Sequence, residues 1–353
     1  MKFIKNIKNI GLNFSSYILR MKISYRPLFV VIEPTYSCNL RCKTCNIHKT
    51  GKSDVNEKLL TVSEYKRFFE ELKIIGTQNV IICGGEPFVR RDTPDIIRAA
   101  KNCDLHIHVI TNGTCLTDKI INNLFNMKLD MITFSLESSI PKIHEKIRGV
   151  KGCFSKTTDS IEKIIRGRNE RKVNYPKIII NSVISKYNYN DIHNIPNLLP
   201  DVDLFNFIFP TEISENSLEE TNKIFNKRIY SGQFYNLNIK YKKHENILRK
   251  KLSMTNKEKI NIKTSFLSKN SFERCLYLWF ASNMSPIGNI YPCTVMDKLK
   301  MGNIKNNSFI EIWNSQEYRN LRKIFLSKHL KICKECTCGI SIKSMFTQFS
   351  LLL

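Results

Sequence analysis

The sequence predicts an α/β protein: six βα units in succession, then a small cysteine-rich module built from a hairpin and a helix. Three observations carry this reading. Between Leu28 and Pro210, short apolar runs alternate with amphipathic segments, as parallel strands covered by helices do. Residues 211–274 lose that rhythm and become Lys- and Asn-rich. The 12 cysteines are unevenly placed, with Cys38, Cys42 and Cys45 behind the first apolar run and Cys275, Cys293, Cys333 and Cys336 near the carboxyl end. Four regions follow: a basic extension (1–27), the βα array (28–210), a connector (211–274) and the cysteine-rich module (275–353).

The elements are expected in this order. Strands cover Leu28–Ile32, Asn79–Cys83, His106–Thr111, Met131–Leu136, Lys177–Val183 and Leu204–Phe209, each a short apolar or β-branched run. The helix Thr61–Ile75 opens on a capping-box pair, Thr61 and Glu64, and sets Tyr65, Phe68, Phe69 and Leu72 on one face. Further helices are expected over Pro94–Lys101, Thr117–Met127, Thr157–Arg168 and Asp191–Leu199. His106 and His108 are expected to point to opposite sides of strand three. Asn283 to Tyr291 reads as two short strands about a turn at Pro286 and Gly288. Ser308 with Glu311 opens one amphipathic helix through Phe309, Ile312, Trp313, Leu321 and Ile324. Six βα units fit a partial barrel or an open doubly wound sheet, and in both the chemistry gathers at the carboxyl ends of the strands.

Composition narrows the function classes. Cysteine makes up about 3% of the 353 residues, below the roughly 8–10% of a disulfide scaffold. The first 26 residues hold no continuous apolar core or small-residue cleavage site, and no apolar run reaches the roughly 18 residues of a membrane helix. A reducing, cytoplasmic setting is expected. The formal charge of +25 comes from 56 Lys and Arg against 31 Asp and Glu, and much of it follows a bias to Lys, Asn and Ile along the whole chain. Residues 1–26 and 240–263 are locally the most basic. Such a field suits anionic partners but does not choose among them. In the extension, Ile4, Ile7, Phe14, Tyr17, Ile18 and Met21 alternate with basic residues; a membrane-surface helix fits, and a helix packed across the barrel is preferred.

The chemistry lies behind the first two strands. Cys38, Cys42 and Cys45 put three thiols on one loop, enough for three corners of a cuboidal iron–sulfur cluster with the fourth iron open. Zinc would want a fourth ligand, for which His48 is the near candidate. The second strand runs into Gly84-Gly85-Glu86-Pro87, where the glycines permit close backbone approach to a ligand and Glu86 offers a carboxylate to an ammonium group.

Together these motifs resemble the radical S-adenosylmethionine (radical SAM) superfamily over Leu28 to Pro210. The resemblance implies a partial (β/α)6 TIM-like barrel. It implies a 4Fe-4S core cluster on Cys38, Cys42 and Cys45, and S-adenosylmethionine bound at Gly84, Gly85 and Glu86. It also implies reductive cleavage of SAM to a 5′-deoxyadenosyl radical that takes hydrogen from a substrate. Ser135-Leu136-Glu137 resembles the family's Ser-Leu-Asp stretch, and His144 to Gly149 the run that follows it, so Ser135, Glu137 and Arg148 are further candidates, with Arg148 aimed at the SAM carboxylate. Asn181 is a polar residue inside the apolar fifth strand, and Thr111-Asn112-Gly113 closes strand three toward the same mouth. Thr44 departs from the aromatic residue usual before the third cysteine, and no Gly-rich turn follows strand five, so adenine has no assigned contacts.

Cys275-x12-Gly288-x4-Cys293, followed by Cys333 and Cys336, resembles the twitch form of the SPASM module, which carries one auxiliary 4Fe-4S cluster; a zinc ribbon is the competing reading, and Cys338 competes with Cys336. Four thiols favour an electron-transfer role over substrate anchoring. Of the cysteines left over, Cys83 and Cys115 stand beside strand ends and are candidates for giving hydrogen to a substrate radical. Burial as small hydrophobes is the ordinary fate of such residues, Cys103 and Cys153 included. The function implied is an oxidoreductase, dehydrogenase-like, on a small molecule, or a maturase of peptides, reduced by an acidic donor such as flavodoxin or ferredoxin. A nucleic-acid-modifying enzyme fits the charge but no RNA-binding motif is present, and a non-catalytic iron–sulfur or zinc protein leaves the Gly-Gly-Glu-Pro turn unused.

Overall fold

The computed structural model describes residues 26–45, 47, 58–210, 213–230, 259–263, 275–328 and 330–336, with positions 12, 15, 246, 248, 250 and 251. The amino-terminal helix, His48 and Cys338 lie outside these residues.

A single ten-stranded sheet organises the chain. Its centre is β1 (Phe29–Ile32), β2 (Asn79–Ile82), β3 (His106–Thr111), β4 (Met131–Ser135), β5 (Lys177–Val183) and β6 (Leu204–Ile208), all parallel and side by side in chain order. Between them run α1 (Val62–Ile75), α2 (Thr93–Asn102), α3 (Asp118–Asn126), α4 (Pro141–Arg148), α5 (Cys153–Arg171) and the single turn α6 (Ile195–Leu198). α1 begins on the expected capping box: Thr61 Oγ1 accepts from the Glu64 amide, and Glu64 accepts from the Thr61 amide. Alternate residues of the strands, among them Val30, Ile32, Val80, Ile82, Ile132 and Phe134, are buried in the main core with Tyr65, Phe68, Phe69 and Leu72 of α1. The other face carries a small apolar plug of Met131, Ile179 and Leu204.

Several expectations are corrected. His106 and His108 share one face of β3, because residues two apart along a strand point the same way. The run His144 to Gly149 is largely helix: Pro141 opens α4 and Gly149 closes it with a left-handed φ of 78°. α5 is longer than expected, and Asp191–Leu199 is a 3-10 turn, Ile192–Asn194, followed by one helical turn.

The larger differences lie beyond residue 210. α7 (Glu215–Phe225) and β7 (Ile260–Lys263) both arise within the connector, and β7 extends the sheet parallel to β6. α8 (Tyr277–Phe280) leads into β8 (Ala281–Met284), which pairs parallel with β1, Phe29 opposite Ala281 and Ile32 opposite Met284. β9 (Asn289–Tyr291) and β10 (Gly302–Asn303) add antiparallel. The expected hairpin therefore exists, hydrogen-bonded to the first strand of the array. The expected single helix from Ser308 is two, α9 (Phe309–Trp313) and α10 (Gln316–Ser327), because Ser315 caps a new start by accepting from the Tyr318 amide. α11 (Lys331–Glu335) carries Cys333.

Candidate functional site

The loop after β1 is held from two sides at the carboxyl ends of the strands. On one side, the amides of Gly85 and Glu86 donate to the carbonyls of Thr35 and Ser37, each at 2.9 Å. A methyl at Gly85 would lie 2.2 Å from the Ser37 carbonyl oxygen, so only glycine lets the two turns touch. On the other side, the Arg41 and Lys43 amides donate to the carbonyls of Arg148 and Ile147 at 3.1 and 2.7 Å. Gly149 is bare for the same reason, since a methyl there would stand 2.3 Å from the Arg41 carbonyl.

These supports bring Cys38, Cys42 and Cys45 into one cluster with Leu40. The Leu40 amide donates to Cys38 Sγ at 3.4 Å, and Arg148 Nη1 donates to Cys42 Sγ at 3.3 Å. Burial pushes the Cys38 thiol up to about 11, opposed by the Leu40 amide, while the charges of Cys42, Glu86 and Cys45 push it further. Bound metal cations would act the other way on this sulfur, favouring the thiolate. Cys153, the first residue of α5, is buried in the same cluster. From sequence alone Cys153 is an ordinary core residue, because no spacing signal links it to Cys42.

The two carboxylates are committed to the protein. Glu86, 1% exposed, accepts from the Phe88 amide, the Thr111 hydroxyl at 2.7 Å and the Asn112 amide at 2.7 Å. Burial raises its pKa, against the pull of these donors. Glu86 thereby ties the β2 and β3 loops together. Glu137 accepts from the Val183 amide at 2.8 Å and lies 3.5 Å from Arg148 Nη2. Arg148 also donates to the Ser135 carbonyl at 2.8 Å, so its guanidinium bridges β4 to the cysteine loop. Its Nε is buried without a partner. His144 Nδ1 accepts from the Glu137 amide, and burial, then the charge of Arg148, lowers its pKa to about 3.

Ser135 and Asn181 stand opposite each other on β4 and β5, and Asn206 continues the row, donating to Asn181 Oδ1 at 2.9 Å. Asn261 of β7 donates in turn to Asn206 at 3.0 Å. Of this row the sequence signals Asn181; Asn206 lies inside an apolar strand and Asn261 in the Lys- and Asn-rich connector, where neither stands out. Cys83 and Cys115 are both half-buried near the strand ends, Cys115 close enough to Glu86 for that charge to add to the burial that raises its thiol.

In the carboxyl-terminal module, burial and then the charges of Cys275 and Cys293 push the Cys333 thiol well up. The amides of Tyr277 and Met296 donate to Cys275 Sγ and Cys293 Sγ at 3.5 and 3.4 Å. Cys336 follows one turn after Cys333, half-buried against the same core. What sets the pair in place is the connector: the Glu335 carboxylate accepts from the Ser214 amide and the Ser214 and Ser217 hydroxyls at the start of α7, and Lys331 pairs with Glu220. Among the described residues, no group of three or more His, Cys, Asp and Glu is placed to hold a single metal ion. A cuboidal cluster asks for no such convergence, because each thiolate takes a different iron.

Residues 32–196 match the Radical SAM superfamily, and residues 275–337 match an iron-sulfur cluster-binding domain, SPASM. The chain belongs to the radical SAM superfamily. A curated relative, an AdoMet-dependent heme synthase of Methanosarcina barkeri, is 27% identical over 88% of this chain and 91% of its own. Among solved structures, Streptococcus suis SuiB bound to S-adenosylmethionine has a TM-score of 0.66 at 18% identity, covering 92% of this chain and 75% of SuiB. Native anSMEcpe with bound AdoMet has a TM-score of 0.59 at 16% identity, over 92% of this chain and 96% of its own. As a radical SAM protein with a SPASM module, the chain has S-adenosylmethionine, a 4Fe-4S core cluster and carboxyl-terminal iron–sulfur as its cofactors. Two thiol groups with amide donors on sulfur, and a buried arginine beside one of them, fit such cofactors. No helix among the described residues is long and apolar enough to cross a membrane.

Proposed function

We propose that this radical SAM protein is an oxidoreductase. Cys38, Cys42 and Cys45 hold the core cluster. The backbone of Gly84 and Gly85, with Ser135 and Asn181, lines the SAM site. Cys275, Cys293, Cys333 and Cys336 hold one auxiliary 4Fe-4S cluster. The observation that carries the reading is the junction of the three-thiol loop with the Gly84-Gly85 turn, pressed together so closely that no side chain fits at Gly85. When bound, these groups supply reductive C–S cleavage of SAM to a 5′-deoxyadenosyl radical, hydrogen abstraction from substrate and an electron acceptor at the carboxyl-terminal site. The protein's own part is positional. Glu86 fixes the turn, and Arg148 holds the cysteine loop against β4 while donating to a cluster-side sulfur. The Ser135 to Asn261 row supplies fixed hydrogen-bonding groups on the face opposite the helices.

The heme synthase relative, matched over nearly its whole length, supports a small-molecule substrate. A peptide is the second reading, supported by the fold shared with SuiB, whose structure bound to the precursor peptide SuiA has a TM-score of 0.63. Anaerobic reconstitution with iron, sulfide, SAM and dithionite tests the reading. 5′-Deoxyadenosine is expected, Cys42→Ala is expected to abolish it, and iron is expected at about eight per chain. Product at equal rate in Cys42→Ala would refute the core site. Stimulation by porphyrins or by short peptides then separates the substrate classes.

A further inference from the structure

Tyr187, in the turn after β5, lies at the centre of a group of cations. Lys43 Nζ and Lys146 Nζ are each 5.2 Å from its ring centroid, and Lys186 Nζ is 5.4 Å away. The three lysines come from separate stretches, the cysteine loop, α4 and the β5 turn, and all are exposed. None has an ion-pair partner among the described residues. Arg41, Lys142 and Lys151 are exposed on the same stretches, and the carboxylate there, Glu145, accepts from the Gly152 amide.

Any two of the three ammonium groups lie within about 11 Å, close to the Debye length at 0.1 M salt, so their repulsion is only partly screened. The ring attracts each cation through its quadrupole but neutralises none. A surface so arranged concentrates anions. Its position selects among them, because Lys43 lies between Cys42 and Cys45 and its amide is bonded to the Ile147 carbonyl at 2.7 Å. Whatever docks here sits against the cysteine loop itself. With three ammonium groups within 5.4 Å of the Tyr187 ring centroid, a nucleic-acid base would have to compete with them to stack there.

We infer that the Lys43, Lys146, Lys186 and Tyr187 patch is the docking surface for an acidic electron-donor protein of the flavodoxin or ferredoxin class. This rests on the reading that Cys38, Cys42 and Cys45 hold a reducible cluster. One electron leaves the donor's cofactor, which is oxidised, and enters the core cluster, which is reduced; no bond forms or breaks at the patch.

The test uses the full-length, cluster-loaded chain and reduced flavodoxin as the probe, with cluster reduction followed by stopped flow from about 50 to 300 mM salt. The wild-type rate is expected to fall steeply with salt, and Lys146→Glu/Lys186→Glu to lower it at least about tenfold at low salt and flatten its salt dependence. Lys128→Glu/Lys172→Glu makes the same charge change where α3 and α5 return to the amino ends of β4 and β5, and is expected to match wild type. Dithionite needs no docking surface, so 5′-deoxyadenosine formed with it should be unchanged in both variants. Wild-type flavodoxin kinetics in Lys146→Glu/Lys186→Glu would overturn the docking surface, as would an equal loss in the control pair. Loss of RNA binding by that variant with donor kinetics intact would overturn it too, in favour of nucleic acid. Failure of dithionite to give 5′-deoxyadenosine in the wild type would instead overturn the core site, and the inference with it.

Discussion

Arg148→Met removes the cation that joins β4 to the cysteine loop, and its cost can be worked from the contacts. Glu137, with its side chain 2% exposed, keeps the Val183 amide as its donor once the guanidinium 3.5 Å away is gone. At an effective dielectric of about 20, the lost attraction is about 5 kcal/mol. Breaking one side of a buried pair costs about 3–5 kcal/mol in general, so a loss of about 3–5 kcal/mol is expected at pH 7. Two further checks separate this cause from poor packing. Glu137→Gln in the same background leaves no buried charge and should recover more than half of the loss. Burial already raises the Glu137 pKa, and more so without Arg148. A folded pKa above the unfolded one gives stability that is present at low pH and lost as pH rises, so the Arg148→Met deficit should shrink toward pH 5. Guanidinium unfolding of the reduced, metal-free chain measures all three. A loss below about 1 kcal/mol, or no recovery with Glu137→Gln, would refute the reasoning.

Three other outcomes follow from the geometry. Gly85→Ala must push the turn away from the Ser37 and Tyr36 carbonyls, costing about 1–3 kcal/mol and raising the Kd for SAM at least about tenfold by anaerobic calorimetry; an unchanged Kd would separate the turn from the SAM site. His144 is neutral in the fold, its pKa lowered from 6.5 to about 3, so its contribution is present above pH 6.5 and falls by about 1.4 kcal/mol per pH unit below it. His144→Asn keeps an acceptor for the Glu137 amide and should remove about 2 kcal/mol of the stability lost between pH 6.5 and 5; equal pH slopes would contradict this. Glu335→Ala should cost about 1–2 kcal/mol and lower iron toward about four per chain, because the carboxylate anchors α11 to α7; full iron loading would mean that the Cys333 pair is positioned otherwise.

What could be read from the sequence was what repeats or clusters locally. The six central strands, the capping boxes at Thr61 and Ser308 and the two cysteine groups all announce themselves within a few residues. β7 did not, because Ile260 and Ile262 are its only apolar residues and its partner β6 lies more than fifty positions earlier. α4 was legible in principle from Pro141 and Gly149, but the motif resemblance drew attention to its last turn. The roles of Glu86, Glu137 and Arg148 were hidden for a different reason. A carboxylate that will meet a ligand and one that will be spent on Thr111, Asn112 or Val183 look alike until the neighbouring strands are paired. The same holds for the lysines about Tyr187, which are ordinary surface charges until three loops converge.

The pairing of β8 with β1 makes the strand that launches the cysteine loop an interior strand of the sheet. A chain ending before residue 275 would leave β1 with a bare row of amides and carbonyls along Phe29–Ile32, an unprotected edge of apolar residues ready to pair with another molecule. The carboxyl-terminal module is thereby also a guard against aggregation, and the two iron–sulfur regions share one solubility, whichever of them does the chemistry.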